Sequence, residues 1–185
     1  MRDLIQELIP HAPHLGLYVA PAIPEDKLRN ALDDYAGALR PEEALALFDA
    51  TLMGSARDGA VFAADRFVFQ NNNLEPAHEV RYEDLVQVDK KRGFLKGAKV
   101  CLSVNRGRAT FDLTFDCSGK PEALAFLYRF LHEAMLRPEA RLPEADVPRT
   151  AAGSDLQALR NALDALRADG RLVEDDYRRI LDALS

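Results

Sequence analysis

The sequence contains few of the features that mark secreted or membrane proteins. Only two of its 185 residues are cysteines, Cys101 and Cys117, which is too few for a disulfide framework. No apolar run approaches the roughly 18 residues that a membrane-spanning helix needs. The first 22 residues lack the basic start and the unbroken apolar stretch of a secretory signal. We therefore expect a cytoplasmic protein whose thiols are reduced.

The sequence also lacks tryptophan and an excess of positive charge. Its net charge is -6 and its pI is about 5.3, which argues against a general nucleic-acid binder. The missing aromatic platform argues against single-stranded nucleic acid in particular. What the chain does have is an apolar fraction of 48%, enough for a core, in a length that fits one domain plus an appendage or two small domains.

No set of catalytic residues is visible in the sequence. His11 and His14 lie three apart, but zinc requires three or four ligands and no third one is near. Glu83 and Asp84 are adjacent, and neighbours on a strand point to opposite faces. Neither cysteine has a histidine beside it in sequence. We therefore expect a protein that is not an enzyme and holds no cofactor and no metal.

Helical spacing dominates the first part of the chain. Residues 1–39 are predicted to form an N-terminal helical segment, with its clearest helix in IPEDKLRNALDDYAG, where Pro24 opens the first turn. The segment RPEEALALFDATLMGS predicts a second helix that begins at Pro41 and ends where Ala50 to Met53 become extended. A third, strongly apolar helix is predicted from Pro121, in PEALAFLYRFLHEAML.

Between these helices the apolar period changes to two, which is typical of strands. AVFA and RFVFQ predict a hairpin around Ala64-Asp65, EVRYEDLVQVD predicts one or two strands, and KKRGFLKGAK predicts a turn or a long hairpin tip. If Arg106-Gly107 is a two-residue turn, Val104 lies opposite Ala109 and all apolar residues of AKVCLSV and RATFDLTF share one face. That register places Cys101 opposite Asp112 and excludes a disulfide with the second cysteine.

The order of these elements, together with GAVFAADRFVFQ, VRYEDLVQV and EALAFLYRFL, resembles bacterial pleckstrin-homology-like (PH-like) or GRAM-like domains over residues 40–136. The resemblance implies an α+β fold. It would be a PH-like antiparallel β-barrel or sandwich, capped by a C-terminal helix and preceded by the N-terminal helices.

Beyond this domain the sequence predicts a tether and a helical hairpin. Residues 137–153 contain three prolines and no periodicity, which is typical of a stiff linker. Residues 154–185 predict two short helices around Gly170, and LRADGRLVEDDYRRILDAL is similar to the short C-terminal domain called SHOCT. That similarity implies oligomerisation or docking through the apolar residues Leu159, Leu163, Leu166, Leu172, Tyr177, Ile180, Leu181 and Leu184. Helices this short bury too little surface to be stable alone, so we expect a second copy or the upstream domain as partner.

A basic stretch within this acidic chain is the candidate binding surface. Its members are Lys90, Lys91, Arg92, Phe94, Lys96, Lys99, Arg106 and Arg108. They are predicted to lie on hairpin tips and to bind a lipid head group, an acidic protein or nucleic acid. The alternative, which we favour because basic sheet edges are common, is that the lysines keep a solvated sheet edge from aggregating.

Two functions remain open on the sequence. The first is a non-catalytic interaction or scaffold module, in which the PH-like domain binds a protein or peptide and the C-terminal hairpin mediates oligomerisation or docking. The second is peripheral binding to an anionic phospholipid membrane through the basic hairpin 90–108.

Overall fold

The computed structural model describes residues 1–93 and 97–137. Within them eight strands form two antiparallel sheets. The five-stranded sheet has the order β1-β2-β3-β4-β5, with β1 Leu17–Val19, β2 Ala46–Asp49, β3 Gly59–Phe62, β4 Arg66–Gln70 and β5 His78–Arg81. The three-stranded sheet has the order β6-β7-β8, with β6 Leu85–Gly93, β7 Gly97–Arg106 and β8 Ala109–Asp116. The α-helices are α1 Arg2–Leu8, α2 Glu25–Asp34 and α3 Leu124–Leu136.

The α+β class, the antiparallel sheets and the helix that follows them are confirmed, but the prediction of a closed barrel is wrong. Closure would require strands of one sheet to pair with strands of the other, and the two sheets remain separate. At the edge of β8 the Asn71 side chain takes the place of a strand. Its amide nitrogen donates to the Thr114 carbonyl (2.8 Å), and its oxygen accepts from the Asp116 N–H (2.9 Å).

The five-stranded sheet is buried on both faces. Alternate residues such as Leu47, Val61 and Val68 form one core beneath α2. The intervening residues, among them Phe48 and Phe62, belong to a larger core shared with α1, α3 and the three-stranded sheet. Because side chains alternate along a strand, this sheet separates the two cores.

The predicted helix from Pro41 is wrong. Pro41–Glu43 form a single 3-10 turn, and the apolar residues after it form β2. All four residues of β2 are buried, and a strand covered on both faces reads as a continuous apolar run that imitates a helix. Leu52 and Met53, expected in an extended segment, lie in a turn.

The N-terminal segment contributes to the same core as the sheets. It contains the predicted helix α2 and also α1, whose Leu4 and Ile5 are buried in the larger core. In addition it supplies β1, where Tyr18 pairs with Leu47 of β2. Residues 1–39 therefore add a strand to the five-stranded sheet as well as helices.

The hairpin of β7 and β8 is confirmed, with a register two residues away from the predicted one. The turn is Gly107-Arg108, and Val104 lies opposite Phe111. Gly107 has a φ of +65°, which suits the first central position of a two-residue hairpin turn. A shift of two keeps every side chain on its predicted face. Cys101 faces Thr114 rather than Asp112, and both cysteines are free.

The helix predicted from Pro121 is confirmed as a 3-10 turn followed by α3. It packs against β6, β7 and α1. Phe130 lies edge-to-face against Phe62 and Tyr82, with ring centroids 5.5 and 5.7 Å away. The predicted linker beyond Arg137 and the predicted C-terminal hairpin lie outside the described residues.

Candidate functional site

Strand alternation divides the basic stretch between two faces of the three-stranded sheet. Lys90 pairs with Val100, a core residue, so its side chain lies on the inner face with that of Arg92. Lys91 lies between them on the outer face, directly opposite Lys99. The three cations of β6 lie in its last residues and Lys99 lies near the start of β7, beside the predicted hairpin tip, whose residues 94–96 lie outside the described residues. Alternation alone would have revealed the division.

Lys90 and Arg92 border a groove between β6 and the start of α3, which we call the β6–α3 groove. The Lys90 ammonium lies 4.6 Å from the centre of the Tyr128 ring on α3, a favourable cation–π distance. A cavity of about 230 Å³ is lined by both cations together with Leu124 and Ala125. A second cavity of about 360 Å³ continues past Arg92; its remaining lining residues are Gly93, Gly97, Ala98, Ser118 and Pro121.

Beside this groove, no strand in the described part of the chain pairs with one edge of β6. Because Asn71 bonds the Thr114 carbonyl, the backbone of Thr114 points away from β7. Its partner Cys101 therefore points its own N–H and C=O toward Asp89 on β6. By the same alternation the backbone groups of Lys90 point out of the sheet, as do those of Val88 and Arg92. Among the named strands β6 pairs only with β7.

The outer face of the three-stranded sheet is polar and its side chains are mutually paired. Ser103 donates to Asp112 (2.7 Å). Lys99 lies 3.5 Å from the Asp116 carboxylate, which partly neutralises the pair of lysines at this position. Lys91 is the exposed cation of this face that remains, since no ion pair of Lys91 is found among the described residues.

Arg106 and Arg108 lie at the far end of β7 from the other cations. The strand has ten residues, which corresponds to about 30 Å at roughly 3.3 Å per residue. The Arg106 guanidinium donates to the Glu79 carbonyl of β5 (2.7 Å) and so links the two sheets. The six described members of the predicted surface therefore lie at three separate places, and Phe94 and Lys96 fall outside the described residues.

A second exposed feature, missed in the sequence, is the loop between β2 and β3. Leu52 and Met53 at its tip are 84% and 94% exposed. Its base is fixed by a partly buried ion pair, with the Lys27 ammonium 2.8 Å from the carboxylate of the buried Asp49. Burial by itself would lower the pKa of Lys27, but the hydrogen bond and charge of Asp49 raise it above its ordinary value. The sequence feature that could have indicated this exposed loop is the pair of apolar residues between Thr51 and Gly54.

The described residues contain no cluster of metal-ligating side chains. The Cys117 thiol is buried, and burial raises its pKa to about 12, so it is held as an unreactive thiol. Tyr35 is also buried, which raises the pKa of its hydroxyl. Neither this oxygen nor Oδ1 of Asp58 has a hydrogen-bond partner within residues 1–93 and 97–137. None of the described helices is long and apolar enough to cross a membrane.

Comparison with known proteins gives no relative from which a function can be transferred. No family model matches the chain, and neither a curated protein nor a solved structure matches it. The functional interpretation therefore depends on the β6–α3 groove and on the sequence pattern of the C-terminal segment.

Proposed function

We propose that the chain is a non-catalytic protein-interaction module whose PH-like domain binds an extended acidic peptide in the β6–α3 groove. The observation that supports this most is the unpaired edge of β6, which lies beside α3 and is flanked by Lys90 and Arg92. A free strand edge is a template for a further strand.

The chemistry of the groove defines the ligand. Outward-pointing backbone groups of β6 would hydrogen-bond an added strand, while alternate ligand side chains enter the groove. There they meet the cations of β6 and the apolar side chains of Leu124 and Ala125. A segment with alternating apolar and acidic residues is complementary to this surface, because opposite charges steer association and fix the register.

Selection of peptides from a random displayed library on the full-length protein tests the proposal. We expect enriched sequences with Asp or Glu alternating with apolar residues. Their affinity should fall about tenfold or more in Lys90→Glu/Arg92→Glu, since a reversed charge at a close pair is worth more than about 1.4 kcal/mol. The matched control is Lys91→Glu, on the same strand but the opposite face. Equal losses in both variants, or no enrichment, would contradict the proposal.

The C-terminal segment would serve as the second adhesive element by associating with a copy of itself. Support comes from the apolar stripe that includes Leu159 and Leu163, which two short helices cannot cover alone. Light scattering on the full-length protein should give the mass of an oligomer. Leu159→Asp/Leu163→Asp should lower that mass, and Asn161→Asp, which lies off the stripe, should leave it unchanged. A monomeric wild-type protein would rule this part out.

Binding to an anionic membrane is the second candidate. It is favoured by the direct cross-strand pairing of Lys91 and Lys99 on the exposed outer face. Sedimentation with vesicles that contain phosphatidylserine would detect it, and Lys91→Glu should then reduce binding while Arg92→Glu should not. Absence of binding at low salt would leave the peptide-binding proposal as the sole candidate.

A further inference from the structure

We propose that β8 is a self-association edge, where the β8 strands of two copies pair antiparallel across a two-fold axis and join their three-stranded sheets into one. This inference is independent of the peptide-binding groove on β6 and of the C-terminal segment. The proposal is based on two features of β8, its free backbone hydrogen-bonding groups and the exposed side chains along the strand. Together these features allow a single pairing register.

The free part of the edge is residues 109–113. Asn71 occupies the Thr114 carbonyl and the Asp116 N–H, so that its side chain covers the edge beyond residue 113. Because alternate residues of a strand point the same way, the N–H and C=O groups of Thr110 and Asp112 also point away from β7. No hydrogen-bond partner for these four groups occurs among the described residues.

The other sheet edges carry protection that β8 lacks. β1 is three residues long, and β5 has the Arg106 guanidinium on its Glu79 carbonyl. β6 has an irregularity between Leu85 and Gln87 and a run of cations, which would repel the same strand of a second copy while still admitting an acidic peptide. Short strands, bulges and charged side chains are the usual means by which proteins block an edge. β8 pairs regularly over eight residues with no lysine, arginine or proline. Its two charged residues, Asp112 and Asp116, are engaged by Ser103 and Lys99 on β7, and Phe111 in its middle is 49% exposed.

The side chains select one register. Two-fold pairing centred on Phe111 places Phe111 opposite its own copy, Thr110 opposite Asp112, and Ala109 opposite Leu113. The two outward-pointing residues then face each other and form hydrogen-bonded pairs, while the aromatic rings meet at a non-hydrogen-bonded pair, where side chains approach most closely.

The neighbouring registers are worse. Centring on Asp112 opposes two carboxylates and requires the Thr114 carbonyl, to which Asn71 already donates a hydrogen bond. Centring on Thr110 places Leu113 opposite Gly107 of the turn and leaves Phe111 against Ala109. Only the Phe111 register pairs all of residues 109–113, avoids like charges in opposition, and covers both half-exposed rings.

Site-directed cross-linking of the full-length protein tests this geometry. In a Cys101→Ser background, which leaves only the buried Cys117, Phe111→Cys is compared with Thr110→Cys. At a two-fold non-hydrogen-bonded pair the Cα atoms are about 4.5 Å apart, within the roughly 4.4–6.8 Å that a disulfide spans. Thr110 faces Asp112 of the other copy, so two introduced cysteines at position 110 do not meet.

We expect the Phe111→Cys protein to form disulfide-linked dimers at least about tenfold faster than the Thr110→Cys protein under the same mild oxidation. Both positions are exposed, so random collision would give equal rates. Association through the C-terminal segment alone would also accelerate both variants alike. Equal rates, or faster cross-linking at position 110, would overturn the proposal. This outcome does not depend on whether the β6–α3 groove binds a peptide.

Discussion

The two sheets differ in what covers them. The five-stranded sheet has α2 on one face and the larger core on the other. The three-stranded sheet has a core on its inner face and hydrogen-bonded polar side chains on its outer face. Its two outer strands also have backbone groups, on β6 and on part of β8, that find no partner in the part of the chain that the structure describes. This difference is the basis of our proposal that the first sheet provides structural stability and the second provides recognition.

The largest expected effect comes from truncating one aromatic residue in each sheet. Phe62 of β3 is fully buried and contacts the rings of Phe67 and Phe130. Phe62→Ala should lower the free energy of unfolding by about 3–5 kcal/mol, and Phe111→Ala on β8 by less than about 1 kcal/mol. Urea titration measures both under monomeric conditions. Similar losses would remove the proposed division between the sheets.

The next effect concerns the base of the loop between β2 and β3. Asp49→Ala leaves the largely buried Lys27 ammonium without its partner and removes the acceptor for Thr51. We expect a loss of about 2–4 kcal/mol, since an unpaired buried charge is costly. Arg57→Gln, which removes an exposed pair with Asp34, should cost less than about 1 kcal/mol. If Arg57→Gln costs as much as Asp49→Ala, burial does not explain the stability of this region.

The smallest effect is a pH dependence at Asp58. Burial raises the pKa of Asp58, its hydrogen bond with Gln70 lowers it, and the charges of Asp34 and Asp49 raise it further, for a net increase. The Asp58 carboxyl group therefore binds a proton more tightly in the folded state than in the unfolded state. Its ionised form is destabilising at neutral pH, and that penalty disappears as the pH falls through the folded pKa.

Asp58→Asn should therefore unfold at a higher urea concentration than the wild type at pH 7. The difference should shrink as the pH is lowered toward 4, because the wild-type carboxyl becomes neutral. Matched titrations at the two pH values measure this change. A difference that grows on acidification would contradict the assigned direction.

The sequence predicted an element correctly wherever the spacing of its apolar residues fitted only a helix or only a strand. The helix α2, the hairpin of β3 and β4, and the helix after Pro121 are all present. The second helix failed because β2 is buried on both faces and so has no alternation. The predicted β7–β8 register was wrong by two residues because the hydrophobic pattern accepts either register. The observed turn places Gly107, with its positive φ, at the first central position, where the predicted turn would have required Arg106.

The candidate site was less predictable than the fold. The cations were found, but their consecutive positions suggested one surface, whereas a strand sends Lys90 and Lys91 to opposite faces. The groove itself depends on α3 lying beside β6, a long-range contact that a local pattern does not encode. Nothing in the sequence therefore indicated that the Tyr128 ring lies beside the Lys90 ammonium.

Residue-resolved amide hydrogen exchange on the full-length protein at low concentration tests the central claim that the edge of β6 is open. We expect the amides of Lys90 and Arg92 to exchange at least about tenfold faster than those of Asp89 and Lys91, which hydrogen-bond to β7. The amides of β2, β3 and β4 should be the slowest in the protein. Uniform protection along β6 would show that this edge is already covered and would contradict the account.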